Sequence, residues 1–170
     1  MREEFNLKFN REDFQKIYFR DNTGSIFFSP TTKKAFYVFV VAIVVTTALS
    51  FYAVPNEQDA IFFISWALLG LIAMNYAKKA GAVTRWKKSI QLFFKEEENF
   101  KSMKLVLTEK GISILRDENE VFENWEDIQK SEITKDFIWL EGKVHTVIPE
   151  GALLKGDFEK VKKVVEKFLK

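Results

Sequence analysis

Charged residues crowd both flanks of this chain and leave two long apolar stretches in its middle. The first, AFYVFVVAIVVTTALSFYAV, runs from Ala35 to Val54 without one charged side chain. At ~1.5 Å per residue, a helix of that length reaches about 30 Å, the thickness of a bilayer's hydrocarbon core. The second, AIFFISWALLGLIAMNYA, covers Ala60 to Ala77 and is at the short end of what still crosses. Pro55 to Asp59, PNEQD, leaves room only for a tight loop, so the pattern predicts a transmembrane helical hairpin. Soluble core helices usually carry a polar face, and neither run has one. A signal peptide is a poor fit, because its apolar stretch is shorter and closer to the start, whereas 34 largely polar residues come first here.

The flanks have other periods. In EFNLKFN, Phe5, Leu7 and Phe9 alternate with Asn6 and Lys8, which predicts a strand. Asn10-Arg11-Glu12-Asp13 resembles a helix cap leading into DFQKIYFR, and Asp21 to Gly24 should end that helix. Ser29-Pro30-Thr31 reads as the entry to the first span. Beyond the second span the helix is expected to continue into the cytoplasm, with Trp86 and its basic neighbours either resting at the lipid headgroups or serving only to set topology. From Met103 the texture is β: strands are expected at Lys104–Leu107, Ile112–Leu115, Val121–Trp125, Gln129–Thr134, Phe137–Leu140 and Val144–Ile148. Thr108 to Gly111 makes the first turn, with Gly111 suited to positive φ, and Asp117 to Glu120 the second. Asp157 is placed to cap a closing helix whose Phe158, Val161, Val165, Phe168 and Leu169 share one face.

These elements divide the chain into residues 1–30, a strand and short helix joining the cytoplasmic domain; 31–80, the hairpin with spans 35–54 and 60–77; 81–102, a juxtamembrane helix; and 103–170, the β domain with its closing helix. About seventy residues make a small independent core, so a strand from the N-terminal flank is expected to complete the sheet. The fold class is α+β, with a membrane hairpin inserted into a β-sheet domain.

Charge orients the hairpin. Lys33 and Lys34 precede the first span, and Lys78, Lys79, Arg85, Lys87 and Lys88 follow the second, while the loop holds Glu57 and Asp59 and no base. The positive-inside rule puts both termini in the cytoplasm and the loop outside, and these seven residues form the expected membrane-interface basic cluster. Small residues at four-residue steps, Ala42, Thr46 and Ser50 in one span and Ala73 and Ala77 in the other, are candidates for the seam between helices or for a homo-oligomer contact. The formal net charge of +2 points to no nucleic-acid partner.

Candidate chemistry is sparse. With no cysteine and one histidine, a zinc site would rest mostly on carboxylates. His145 sits beside Val147 on one face of the last strand, opposite Val144, Thr146 and Ile148, and reads as a passenger there rather than a base or ligand. Glu96-Glu97-Glu98 reads as a solvated helix end and Asp117–Glu120 as a turn, not as calcium loops. No phosphate loop, nucleophile elbow or metalloprotease motif is present. The reading is therefore no enzyme, no cofactor and no metal. Trp125 and Trp139 are candidates either for core packing or for contact with a protein partner.

The order of a hairpin, KLVLTEKGISIL, NWEDIQKSEITKDFIWL and VHTVIPEGAL before a helix resembles the YcxB-like family of bacterial membrane proteins. Thr108, Gly111, Ile112, Trp125, Asp127, Ile128, Phe137, Trp139, Leu140, Ile148 and Pro149 carry the likeness. It implies a pleckstrin-homology-like C-terminal domain, a bent seven-stranded sheet plugged by a helix, and no catalytic residues. It brings no lipid specificity, and the first β-hairpin lacks a dense Lys/Arg cluster. The expected function is a non-enzymatic, membrane-anchored interaction module with a membrane or cytoplasmic protein partner. An immunity or envelope-defence protein acting against a membrane-active toxin is the alternative, and a carboxylate-based membrane enzyme ranks last.

Overall fold

Alternation and turn chemistry place the strands, and the apolar runs place the long helices. In the computed structural model, which describes residues 2–56 and 58–169, the order is β1 (Arg2–Leu7), α1 (Arg11–Tyr18), α2 (Lys33–Ala53), α3 (Asp59–Glu97), β2 (Met103–Thr108), β3 (Gly111–Arg116), β4 (Asn119–Asn124), β5 (Lys130–Ile133), β6 (Phe137–Glu141), β7 (His145–Pro149) and α4 (Asp157–Phe168). Glu57, one of the two acids in the hairpin loop, lies outside the described residues. The chain is α+β, with two antiparallel sheets ordered β1-β2-β3-β4 and β5-β6-β7 and two long apolar helices. It divides into two compact units, one holding residues up to Tyr18 and from Phe93 onward, the other Phe19–Leu92.

In the β unit, β1 pairs with β2 along its whole length, from Arg2 opposite Thr108 to Leu7 opposite Met103. The sheet thus joins chain from both sides of the hairpin. Phe5, Leu105 and Ile114 align across three strands, and with Leu107, Ile112, Ile138, Leu140 and Ile148 they form one core. Phe158, Val161 and Val165 of α4 enter the same core, each 3% exposed or less. A fully buried side chain of this size contributes roughly 1.5–3 kcal/mol.

Local details differ from the sequence expectations for identifiable reasons. The first strand stops at Leu7, because the Lys8 N–H turns away to Ala152 O (2.8 Å) and Phe9 packs on Phe14 at 4.7 Å. α1 begins after Asn10, whose Oδ1 accepts the Glu12 N–H. Asp21 and Asn22 follow it with φ of 53° and 60°, a left-handed pair that these short polar residues tolerate. Gly111 is not at positive φ. A Cβ there would lie 2.0 Å from Glu123 O, so glycine answers a close approach between β3 and β4. Thr108 Oγ1 builds the turn instead, accepting the Lys110 and Gly111 N–H groups. Asp157 does not cap α4. It is the first helical residue, after Gly156 at φ 90°, and its carboxylate pairs with Lys160.

In the other unit, α2 and α3 run antiparallel as a hairpin. Ala35, Phe39, Ala42, Thr46, Ser50 and Ala53 of α2, and Phe62, Ser65, Leu69, Ile72 and Tyr76 of α3, are buried or half-buried at three- and four-residue steps. Thr46 Oγ1 donates to Ser65 O (3.5 Å), Trp66 Nε1 donates to Ser50 Oγ (3.1 Å), and Phe39 stacks on Tyr76 at 5.4 Å. The small-residue face of the first helix therefore lies on the seam. In the second helix Ser65 supplies the small residue, while Ala73 is half-buried and Ala77 exposed.

Candidate functional site

α3 is longer than a membrane span. Its 39 residues give about 58 Å at ~1.5 Å per residue, so its last turns lie well beyond the apolar stretch that ends at Ala77. Those last turns, from Phe93, belong to the β unit. There Phe9, Phe14, Tyr18, Phe93 and Phe94 form an aromatic layer, with Phe94 fully buried and Tyr18 packed 5.7 Å from it. Tyr18 also meets Trp139 of β6 at 5.5 Å and His145 of β7 at 5.8 Å. Tyr18 thus packs against β6 and β7.

The polar groups of this layer centre on Glu97. Its side chain is only 5% exposed, and Arg116 of β3 grips it with Nη2 to Oε1 at 2.8 Å and Nε to Oε2 at 3.1 Å. Burial raises the Glu97 pKa above its ordinary value, and the Arg116 charge and hydrogen bond pull it partly back. Burial, with the Glu97 carboxylate nearby, also drives the Tyr18 phenol upward. Glu97, Arg116, His145, Phe9, Phe14 and Phe93 help to line a cavity of about 20 Å³, room for about one water. Chemically this arrangement clamps the end of α3 to β3. The reading of Glu96-Glu97-Glu98 as a solvated helix end is corrected here: Glu97 is buried and paired, and Glu98 accepts from Arg11 Nη1 at 3.1 Å. The sequence carried no signal for this, because the partners lie 19 and 87 residues away.

His145 is solvent-exposed at one side, with its ring edge 4.4 Å from Trp139, and partial loss of water holds its pKa below the usual imidazole value. Its cross-strand neighbour Glu141 acts in the opposite direction. Trp139 is half-buried between Tyr18 and His145. Trp125 is 7% exposed, stacks on Phe168 of α4 at 5.5 Å and 8°, and donates Nε1–H to Thr108 O at 3.0 Å. Trp125 packs on α4 and Trp139 on Tyr18 at the end of α1, so the two form no common site.

Glu123 of β4 is another residue that sequence reading passed over. It is 4% exposed, and its Oε1 accepts the Val144 N–H at 3.1 Å, closing the turn between β6 and β7. A Cβ on Gly142 would lie 2.0 Å from that oxygen, which accounts for the glycine. Among the described residues no three metal-ligating side chains lie together.

The basic residues separate along the hairpin. Lys33 and Lys34 open α2, and Lys78 and Lys79 follow Tyr76, whose ring meets Phe36 at 5.8 Å, so these four lie near one level. Arg85, Lys87 and Lys88 lie roughly 14–18 Å beyond Tyr76 along α3. Trp86, among them, is half-buried with its ring edge-on to Phe19 at 5.6 Å. No family model matches the chain, and neither a curated protein nor a solved structure matches it.

Proposed function

We propose that the chain is a YcxB-like membrane protein in which the hairpin anchors a pleckstrin-homology-like domain at the cytoplasmic face of a bacterial membrane, as a non-enzymatic module that binds or restrains another protein. The observation that carries this reading is a hairpin with an outward apolar surface, inserted between two strands that are neighbours in one sheet. In the most apolar stretches of α2 and α3 only 11% and 6% of residues are buried. Val41, Val44, Phe63, Leu71 and Met74 are all 60% exposed or more, which favours lipid rather than water around them. Because β1 and β2 pair, the chain before α2 and the chain after α3 must stay on one side of a bilayer. Lysines at that end, and none in the opposite loop, favour the cytoplasmic side. For an upright helix, Arg85, Lys87 and Lys88 stand clear of a headgroup layer roughly 5–8 Å deep, leaving Lys33, Lys34, Lys78 and Lys79 as the interface residues. Four strands, then three, then a closing helix across the core support the pleckstrin-homology likeness.

The test combines topology with partner capture. The natural chain has no cysteine, so Gln58→Cys and Ser131→Cys are each unique targets for a membrane-impermeant maleimide. Gln58→Cys should label in intact cells, and Ser131→Cys only after the membrane is opened. A photo-crosslinker at exposed Phe122 should then yield one discrete protein adduct in native membranes. Adducts that survive deletion of the β unit, or labelling of Ser131→Cys in intact cells, would refute the proposal.

A further inference from the structure

Just before α2 the chain exposes three consecutive apolar side chains: Ile26 at 37%, Phe27 at 43% and Phe28 at 52%. A short exposed apolar run in a loop is unusual, and this one is held in place. Ser25 Oγ accepts the N–H groups of Phe27 and Phe28 at 3.3 and 3.1 Å. On the far side, Ser29 and Thr32, both 1% exposed or less, share a 2.7 Å hydrogen bond, and Thr32 Oγ1 donates to Ser25 O. The loop therefore closes on its own polar groups and turns its apolar ones outward.

Its level along the hairpin is also set. Tyr76 OH donates to Ile26 O at 3.2 Å, and Phe36 packs against Phe27 at 5.1 Å and Phe28 at 6.1 Å. Phe36 is in the first turn of α2, and Tyr76 is one residue from the end of the apolar stretch of α3. Lys33, Lys34 and Lys78, all exposed, flank this level. An aromatic pair beside lysines, continuous with an outward apolar helix surface, matches the boundary between headgroups and acyl chains.

We infer that Ile26, Phe27 and Phe28 form a third membrane contact, a preformed wedge that enters the cytoplasmic leaflet of an anionic bilayer beside the hairpin. This rests on the membrane reading given above. The wedge would fix the depth and rotation of the hairpin, because it contacts lipid on one side of α2 only.

The experiment is site-directed spin labelling of the full chain in vesicles of phosphatidylethanolamine and phosphatidylglycerol. Phe28→Cys, Val44→Cys and Glu118→Cys each carry one nitroxide, and collision with oxygen is compared with collision with a water-soluble nickel chelate. The expected result is an oxygen-to-nickel ratio for Phe28→Cys well above that of Glu118→Cys and below that of Val44→Cys. A lipid-like ratio at Val44 with a water-like ratio at Phe28 overturns the wedge and leaves the membrane hairpin standing. Water-like ratios at both sites sink both readings. A Phe28 label shielded from both quenchers means that protein covers the loop, and that too overturns the inference.

Discussion

Replacing Trp125 separates a core role from a partner-binding one. Its indole is 7% exposed, stacked on Phe168, and hydrogen-bonded to the Thr108 carbonyl. Truncation of a tryptophan so placed costs about 3–5 kcal/mol through lost burial and the cavity left behind. Of this, roughly 0.5–1.5 kcal/mol belongs to the hydrogen bond, so Trp125→Phe should cost about that much plus a smaller packing loss. A double-mutant cycle with Phe168→Ala should show coupling of about 0.5–1.5 kcal/mol for the stacked pair. The total matters because whole domains are stable by only ~5–15 kcal/mol. The assay is pulse proteolysis of the full-length protein in micelles across a urea series, with midpoints converted through a common slope. A cost under about 1 kcal/mol for Trp125→Ala, together with loss of partner capture, would refute the core reading and make this side chain a docking anchor.

Other perturbations test other parts of the structure. Gly111→Ala places a Cβ 2.0 Å from Glu123 O and 2.9 Å from Asn124 Cα, both backbone atoms, so its urea midpoint should fall by the equivalent of about 1–3 kcal/mol or more. Gly70→Ala, with nothing within 4 Å, should leave that midpoint unmoved. His145, with its pKa lowered from 6.5, binds fewer protons folded than unfolded, so stability should fall as pH drops through 6.5. His145→Gln should remove that slope; an unchanged slope would contradict the burial of the ring. Glu97 has the opposite sign: with its pKa raised from 4.5, its contribution should decrease as pH climbs from 4.5 through the folded pKa. Urea midpoints of Glu97→Gln across that range should lack this decrease, although Arg116 then loses its carboxylate and the whole curve sits lower. Ser50→Ala removes the acceptor for Trp66 Nε1 and should cost only about 0.6 kcal/mol in a steric-trapping or unfolding assay of the hairpin.

The site was less legible than the fold, and the reason is range. Glu97 sits in an acidic triplet that resembles a solvated helix end, and only β3, arriving from another part of the chain, supplies Arg116 and excludes water. Trp125 shows no periodic preference for core over surface; the stack on α4 decides it. Gly111 could be identified as a turn glycine, but its cause is the backbone of β4 rather than its own φ.

By itself, the sequence determined what depends on neighbours a few residues apart. The length of the apolar runs in α2 and α3, the turn residues that bound the strands, the alternation in β1 and the one-sided face of α4 are all local, because run length, turn chemistry and the 3.6- and 2-residue repeats involve only near neighbours. Only the tertiary structure decided which strands meet. Pairing β1 with β2 across the entire hairpin, closing Arg116 on Glu97, and turning Phe27 and Phe28 outward beside Phe36 are long-range or three-dimensional outcomes. The first two depend on chain closure between segments distant in sequence, and the third on how the loop's own hydrogen bonds and Phe36 orient it; no hydrophobic period encodes either.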